Sequence, residues 1–296
     1  MNIVVCVKPT PDVNIVSLIQ GNESQIDGDD LVYMINPCDL VAVEEAVRIK
    51  EAAGGGKIVI VSMSPPSHEK ALRRCLALGA DEAIRIWDRQ FEHADSHITG
   101  VVLAKAIAGL SYDLILCGRK AVDTDDGQVG YVIAEQLDLP IVSGVTEIKR
   151  HSEDHTAIVE KKLQKGYREK LEVPLPALFA VEESLNEPRY ASLPDLMTGL
   201  KAQIRQCNMR DLGLTLKEVG PAACRKKLLH ISTPKPRPKK VFTPDSSLSA
   251  ADRMALIMSG GVEQKNQELF EGTPETLSVK FIDYLEQLNI DWGLES

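Results

Sequence analysis

One stretch of the sequence decides the fold: Asp113-Leu-Ile-Leu-Cys-Gly-Arg-Lys-Ala-Val-Asp-Thr-Asp-Asp-Gly-Gln-Val-Gly130, which continues into Tyr131-Val-Ile-Ala-Glu-Gln-Leu137. The apolar run at residues 114–116 does not alternate with polar residues, which is typical of a strand covered on both faces. Residues 129–137 carry apolar side chains at helical spacing. The stretch therefore predicts a buried strand, a polar loop and a helix.

The loop of this stretch contains three glycines, Gly118, Gly127 and Gly130. Glycine lets a backbone approach a ligand closely, and the free N–H groups at a helix start can receive a phosphate. The same residues also fit an ordinary strand-to-helix turn in which Asp125 or Asp126 caps the helix. The residues of the stretch leave both interpretations open.

The composition indicates a globular protein with an aliphatic core. Apolar residues make up 44% of the chain and aromatic residues only 4%, so Val, Ile, Leu and Ala must fill the core. The formal net charge of -9 argues against nucleic acid as the main partner. The six cysteines form no C-x-x-C pair, which favours reduced thiols in a cytoplasmic protein. We expect no signal peptide and no membrane span, because no apolar run approaches ~18 residues.

Strand patterns alternate with helix patterns before the central stretch. Apolar runs predict strands at Ile3–Val7, Ile58–Val61 and Ala83–Trp87, each followed by a segment that suits a crossover. This alternation predicts βαβ units and a Rossmann-like α/β fold, in which helices cover both faces of a parallel sheet. In such a sheet a ligand binds at the carboxyl ends of the strands, near the point where strand order reverses.

The dipeptide Asn36-Pro37 predicts a helix start at the same edge of the sheet. Asn36 suits the N-cap and Pro37 the first helical position. The apolar side chains that follow would face the sheet, and Glu44, Glu45 and Arg48 would face solvent.

The pattern changes after the central helix. Residues 141–149, 155–163 and 167–173 predict strands added antiparallel to the sheet, and Ala177–Val181 predicts one more short strand. Edge strands are also expected at 16–19 and 31–35.

Little periodicity follows Glu182. Residues 233–244 are rich in Pro and Lys, which fits a solvated extended linker or a charged docking strip. Helices are predicted at Leu248–Met258 and from Thr273-Pro274, the second with an apolar stripe that includes Phe281 and Leu288. The stripe must be buried either on the chain's own domain or on a partner chain, and the length and weak patterning of this C-terminal arm favour a partner.

Three segments together carry a family resemblance: Asn36-Pro-Cys-Asp-Leu-Val-Ala-Val-Glu-Glu-Ala-Val47, Cys117-Gly-Arg-Lys-Ala-Val-Asp-Thr-Asp-Asp-Gly-Gln-Val-Gly130 and Leu185-Asn-Glu-Pro-Arg-Tyr-Ala-Ser-Leu-Pro194. Their order and spacing resemble the beta (small) subunit of electron transfer flavoproteins, over roughly residues 1–200. The resemblance implies a nucleotide-binding domain at 1–184, a partner-recognition loop at 185–200, and an arm at 201–296 that packs on the alpha subunit.

The resemblance also implies the function. The alpha subunit would hold FAD, and the pair would carry electrons from an acyl-CoA dehydrogenase or a related flavoenzyme to a downstream acceptor. The beta pocket holds AMP in conventional members and a second FAD in electron-bifurcating members, which also use NADH. Residues 117–119 and 127–130 are more similar to the two-flavin branch, so FAD is expected here, with AMP as the alternative.

Carried over position by position, the resemblance implies these cofactor-binding residues: Cys6, Lys8, Asn36, Pro37, Cys38, Asp39, Met63, Gly118, Arg119, Lys120, Ala121, Val122, Asp123, Thr124, Asp125, Asp126, Gly127, Gln128, Val129 and Gly130. It also implies that Leu193, with Tyr190 and Pro194 beside it, anchors in a pocket of the dehydrogenase.

The residues fit two other classes of protein less well. A universal-stress-type nucleotide-binding module would share the sheet, but it would not explain residues 185–296. An adenylating enzyme would carry a Gly/Ser-rich loop directly after the first strand, where this chain has Lys8-Pro-Thr-Pro11. We expect the chain alone to catalyse no reaction, and we expect no metal site.

Overall fold

A computed structural model describes residues 1–12, 31–151, 155–227, 229, 244–258 and 272–287 of the protein. The chain forms two compact units, Met1–Ser232 and Thr233–Ser296. The predicted strand at 16–19 and all but the last residue of the predicted linker at 233–244 lie outside the described residues.

The first unit is built around a large sheet. Its strands, and those of a small ribbon beside it, are β1 (Asn2–Cys6), β2 (Pro9–Pro11), β3 (Tyr33–Ile35), β4 (Lys57–Met63), β5 (Glu82–Ile86), β6 (Leu114–Gly118), β7 (Ile141–His151), β8 (Thr156–Lys162), β9 (Arg168–Pro174), β10 (Ala177–Val181) and β11 (Arg205–Cys207). Nine strands form the sheet in the order β11-β5-β4-β1-β6-β10-β7-β8-β9, and β2 pairs with β3. Neighbouring strands run parallel from β11 to β7, whereas β8 and β9 are antiparallel additions. The predicted Rossmann-like sheet with an antiparallel extension is confirmed, except that the first of the three added strands, β7, runs parallel to its sheet neighbour β10.

Helices lie on both faces of the sheet. The first unit contains α1 (Pro37–Ala52), α2 (Glu69–Ala77), α3 (Ser96–Ile107), α4 (Val129–Leu137), α5 (Leu193–Lys201) and α6 (Leu216–Val219), and the second unit contains α7 (Ala250–Met258) and α8 (Pro274–Gln287). Alternate side chains of β1 enter two separate cores, with Ile3 and Val5 in the core beneath α1 and α2, and Val4 in the core beneath α3 and α4. Burial on both faces is why the central strands are continuous apolar runs.

The order of the strands reverses at β1. The chain passes from β1 to β4 and β5 on one side and then returns to β6 on the other side. The segments that leave β1 and β6 at their carboxyl ends therefore diverge, and a cleft opens between them.

The region after Glu182 is more ordered than its sequence suggested. Leu193 begins α5, so part of the predicted recognition loop is a helix. Residues 201–227, predicted to belong to the arm, lie in the first unit, where they supply β11 and the buried side chains Leu214 and Val219. The segment is stabilised by contacts with distant residues, which local periodicity does not report.

The second unit contains the two helices predicted near the C-terminus. Val279, Phe281 and Ile282 of α8 are exposed, and Leu288 of the predicted stripe lies outside the described residues. None of the helices described is both long enough and apolar enough to cross a bilayer.

Candidate functional site

A cleft of about 380 Å³ lies at the carboxyl ends of β1 and β6. Its floor contains Cys6 and Cys117, and its walls are the loop that links β6 to α4 and the N-terminal turns of α3 and α4. This is the edge of the sheet where the sequence predicted a ligand.

Most of the predicted cofactor-binding residues line this cleft: Cys6, Lys8, Asn36, Asp39, Met63, Gly118, Arg119, Lys120, Ala121, Thr124, Asp126, Gly127, Gln128, Val129 and Gly130. The lining does not include Pro37, Cys38, Val122, Asp123 or Asp125. It also includes residues outside the predicted cofactor-binding set: Val7, Ala94, Asp95, Ser96, Thr99, Leu103, Cys117 and Lys226. The sequence could have indicated Asp95, because Asp is a typical N-cap residue at a helix start. No pattern around Lys226 in the sequence indicates that it lies at the cleft.

Asp39 joins the two strands that form the floor of the cleft. One oxygen of its carboxylate accepts a hydrogen bond from the N–H of Lys8 at 2.8 Å, and the other accepts one from the N–H of Gly118 at 2.8 Å. The side chain comes from the first turn of α1 and is 6% exposed. Burial raises the pKa of Asp39 to about 6, although the two N–H donors act in the opposite direction.

Asn36 holds the loop that forms one wall. It occupies the predicted N-cap position of α1, but its side chain makes no capping hydrogen bond, so that part of the prediction is wrong. Instead, its amide donates to the carbonyl of Lys120 at 2.9 Å and accepts from the N–H of Val122 at 3.1 Å. A buried amide that satisfies both its donor and its acceptor across two segments fixes their separation.

The backbone of this loop requires glycine at two positions, one because of a close contact and one because of its conformation. A Cβ at Gly118 would lie 2.3 Å from Oδ1 of Asp39 and 2.6 Å from Cβ of Cys38. Gly127 has a φ of +60°, a conformation that side chains disfavour. The loop therefore approaches α1 so closely that its path depends on glycine.

The N-terminus of α4 opens into the cleft without a cap. Neither Asp125 nor Asp126 caps the helix, because no side chain does so. Among the described residues, the N–H groups of Gln128, Val129 and Gly130 make no hydrogen bond. These donors, together with the helix dipole, favour an anion.

The basic side chains around the cleft are already paired with carboxylates. Lys8 lies 2.7 Å from Asp123, Lys120 lies 2.6 Å from Asp125, and Arg119 pairs with Glu182. Asp126 accepts a hydrogen bond from Ser96 at 2.8 Å and pairs with Lys226, which brings the segment after α6 to the cleft wall. The pairs fix the shape of the walls and leave the backbone of α4 as the principal anion donor.

Three thiols lie at or beside the floor of the cleft. Burial, assisted by the charge of Asp39, raises the pKa of Cys6 to about 12, and burial raises that of Cys117 well above its ordinary value. Burial also raises the pKa of Cys38 to about 11. The thiols are therefore neutral near neutral pH, and they form an apolar floor.

The predicted partner-binding residues lie in a separate region, at the start of α5. Leu193 is 71% exposed and Tyr190 is 94% exposed, and Pro194 occupies the first turn of the helix. The oxygen of Ser192 accepts a hydrogen bond from the N–H of Asp195 and caps the helix. Leu193 is thus presented to solvent on an ordered backbone.

Comparison with known proteins shows which family the chain is similar to. The family model described as "Electron transfer flavoprotein domain" matches residues 25–212. The electron transfer flavoprotein subunit beta of Thermoanaerobacterium thermosaccharolyticum is 40% identical over 272 residues, which cover 92% of this chain and 97% of that protein.

Two further relatives bear different names. The caffeyl-CoA reductase-Etf complex subunit CarD of Acetobacterium woodii is 39% identical, covering 76% of this chain and 82% of that protein. Protein FixA of Azotobacter vinelandii is 33% identical, covering 81% and 86%. The residues that the family model matches include the loop between β6 and α4 and the exposed start of α5. The chain belongs to the electron transfer flavoprotein family as a beta subunit.

Proposed function

We propose that the cleft binds FAD through its adenine nucleotide half, and that the chain pairs with an alpha subunit to carry electrons in the cytoplasm. Electrons would pass between a flavin dehydrogenase, such as an acyl-CoA dehydrogenase, and a downstream acceptor. The name of the Acetobacterium relative, a subunit of a caffeyl-CoA reductase complex, supports a partner enzyme that acts on CoA thioesters.

The observation that carries this proposal is the uncapped start of α4 at the end of a glycine-dependent loop. The free N–H groups of Gln128, Val129 and Gly130 can receive a phosphate without competition from a side chain. The cleft of about 380 Å³ is near the lower end of the ~300–1,000 Å³ typical of ligand pockets, which suits a mononucleotide moiety. The residues present therefore fit the nucleotide part of a cofactor.

Each part of the cleft has a role toward such a group. The backbone of α4 would neutralise phosphate, the neutral thiols of Cys6 and Cys117 would exclude water beneath it, and Ser96 and Thr99 would offer hydroxyls to the ribose. The bound flavin supplies the redox chemistry of the complex. The contribution of this chain is to hold and orient it.

AMP alone is the alternative occupant, because the cleft encloses a volume suited to the moiety that AMP and FAD share. Residues 117–119 and 127–130, similar to the two-flavin branch, favour FAD and a role in NADH-linked bifurcation. The two occupants differ in the amount of flavin that the complex carries.

Counting nucleotides tests the proposal. The complex of this chain with its alpha subunit is denatured in acid, and the released flavin and adenine nucleotides are quantified by chromatography. Two FAD per complex are expected. One FAD and one AMP would refute FAD in this cleft, and the absence of any nucleotide from this chain would refute the site itself.

We also propose that the start of α5 docks on the electron donor. Leu193 would act as the anchor, with Tyr190 and Pro194 at its edge, because exposed aromatic and aliphatic side chains on a fixed backbone form small binding hot spots. We propose that the exposed apolar side chains of α8 pack against the alpha subunit.

A further inference from the structure

The face of α1 that points away from the sheet is largely covered by another segment of the chain. Glu44, Glu45 and Arg48 were predicted to face water, and only Arg48 does so. Glu44 is 3% exposed, and Glu45 is also buried. Residues 186–189, which lead into α5, cover both carboxylates, so this face of α1 holds the segment that precedes Leu193.

Arg189 is the centre of this contact. Its Nε donates to Glu44 at 2.9 Å, and its terminal nitrogens donate to Glu51 at 2.7 and 3.0 Å. Its backbone N–H also donates to Glu44 at 3.2 Å. One guanidinium thus spans two carboxylates that lie two turns apart on α1, a geometry that lysine cannot reproduce.

Neighbouring contacts reinforce the attachment. Asn186 donates to the carbonyl of Val41 at 3.1 Å and to Glu45 at 2.9 Å, and Arg48 donates to the carbonyl of Glu187 at 3.0 Å. All three contacts lie before Arg189 in the chain. Arg189 is therefore the last side chain bound to α1 before the exposed residues Tyr190 and Leu193.

The far end of α5 is held separately. Gly199 lies so close to α2 that an added Cβ would be 2.7 Å from the carbonyl of Arg73. The guanidinium of Arg73 donates to the carbonyls of Leu200 at 2.8 Å and Ala202 at 2.6 Å. The helix would thus stay packed on α2 if Arg189 were removed, and its N-terminal approach would loosen.

We propose that Arg189, through Glu44 and Glu51, is a positioning residue that orders residues 190–193 for docking on the electron donor. The inference rests on the proposed docking role of Leu193. A segment ordered before the encounter loses less conformational entropy on binding, so the clamp lowers the donor concentration that half-saturates the reaction. It leaves electron transfer within the formed complex unchanged, because the docked geometry is the same.

The test uses the complex with the alpha subunit, an acyl-CoA dehydrogenase as donor, and the variants Arg189→Gln and Arg189→Lys. The matched control is Arg168→Gln, which removes an exposed arginine 3.7 Å from Glu160 on the antiparallel strands. Amide hydrogen exchange of residues 186–193 is measured beside donor KM and kcat, and cofactor content is determined for each variant.

We expect Arg189→Gln to raise the donor KM roughly tenfold, which corresponds to about 1.4 kcal/mol of ordering free energy. Exchange at 186–193 should accelerate to a similar degree, with kcat and cofactor content unchanged. Arg189→Lys should fall between, since an ammonium can serve only one of the two carboxylates well. Arg168→Gln should match the wild type.

Three results would overturn the proposal: unchanged exchange at 186–193, accelerated exchange with an unchanged KM, or a parallel loss of kcat and cofactor. The last would mean that Arg189 supports the fold in general. If the wild-type complex accepted no electrons from the dehydrogenase, the proposed function would fail for that donor. The exchange comparison would still decide whether Arg189 orders the segment.

Discussion

The substitution Asp39→Asn gives a sharp prediction, because one buried carboxylate connects β1, β6 and α1. In the folded protein, burial raises the pKa of Asp39 from 3.8 to about 6. The difference corresponds to about 3 kcal/mol in favour of the neutral form. Asparagine has nearly the same shape and no charge, so it removes this dependence on pH.

The free energy of unfolding of the wild type should fall as the pH rises. The pKa of Asp39 is higher in the folded state than in the unfolded state, so between these two values the folded state binds more protons. The stability that the neutral carboxyl contributes is fully present below pH 3.8, the unfolded pKa. It declines as the pH rises and is lost above about pH 6, the folded pKa. The asparagine variant lacks this decline.

The substitution also has an effect that does not vary with pH: it removes a hydrogen bond and so lowers the stability of the variant. The amide of asparagine has one acceptor, whereas Asp39 accepts from two backbone N–H groups at 2.8 Å each. Losing one of them should cost about 1–3 kcal/mol. The variant should therefore be clearly less stable than the wild type in acid and close to it in mild alkali.

Urea unfolding of both proteins measures this directly. The free-energy difference between wild type and variant should shrink by about 2 kcal/mol between about pH 4.5 and about pH 8. The control Asp113→Asn removes a carboxylate that accepts from the N–H of Asn2 at 2.7 Å at the opposite edge of the sheet. A difference that stays constant with pH, or that grows toward alkali, would refute the assigned origin of the raised pKa.

Three further predictions concern the cleft and the docking segment. Gly118→Ala should destabilise the protein by roughly 1–3 kcal/mol and weaken nucleotide retention, because its Cβ would lie 2.3 Å from Oδ1 of Asp39; Gly109→Ala, with no neighbour nearer than 3.7 Å, should be close to neutral in the same urea titration. Asn36→Ala should cost about 1–3 kcal/mol and speed hydrogen exchange in the loop that it holds, and unchanged exchange would contradict its role as a brace. Leu193→Ala should weaken electron transfer from the donor with an unaltered unfolding midpoint, and identical transfer kinetics would remove this leucine from the docking surface.

Short sequence patterns predicted much of the fold. The apolar run in β6, the helical spacing in α4 and the Asn36-Pro37 helix start all appear in short windows. Each reflects a local requirement: a strand covered on both faces, a helix with one apolar face, or a proline where no N–H is needed. The α/β class and the edge that carries the cleft could be predicted for that reason.

The start of α5 shows where such patterns stop being informative. Its sequence combines Pro194 with Gly199, two residues that disfavour a helix in isolation. Gly199 is used because the helix must approach α2 closely, and Pro194 lies in the first turn, where it is tolerated. Contact with α2 therefore outweighs weak local propensity.

The amino-acid sequence alone was sufficient to indicate an α/β fold with a parallel sheet and a glycine-containing loop between a buried strand and a helix, since these depend on neighbours a few positions apart. The roles of Asp39, Glu44 and Lys226 emerged only when the chain was folded. Asp39 meets Gly118 across 79 positions and Glu44 meets Arg189 across 145. Whether a carboxylate faces water or another segment depends on what the chain later places over it, and no local periodicity records that.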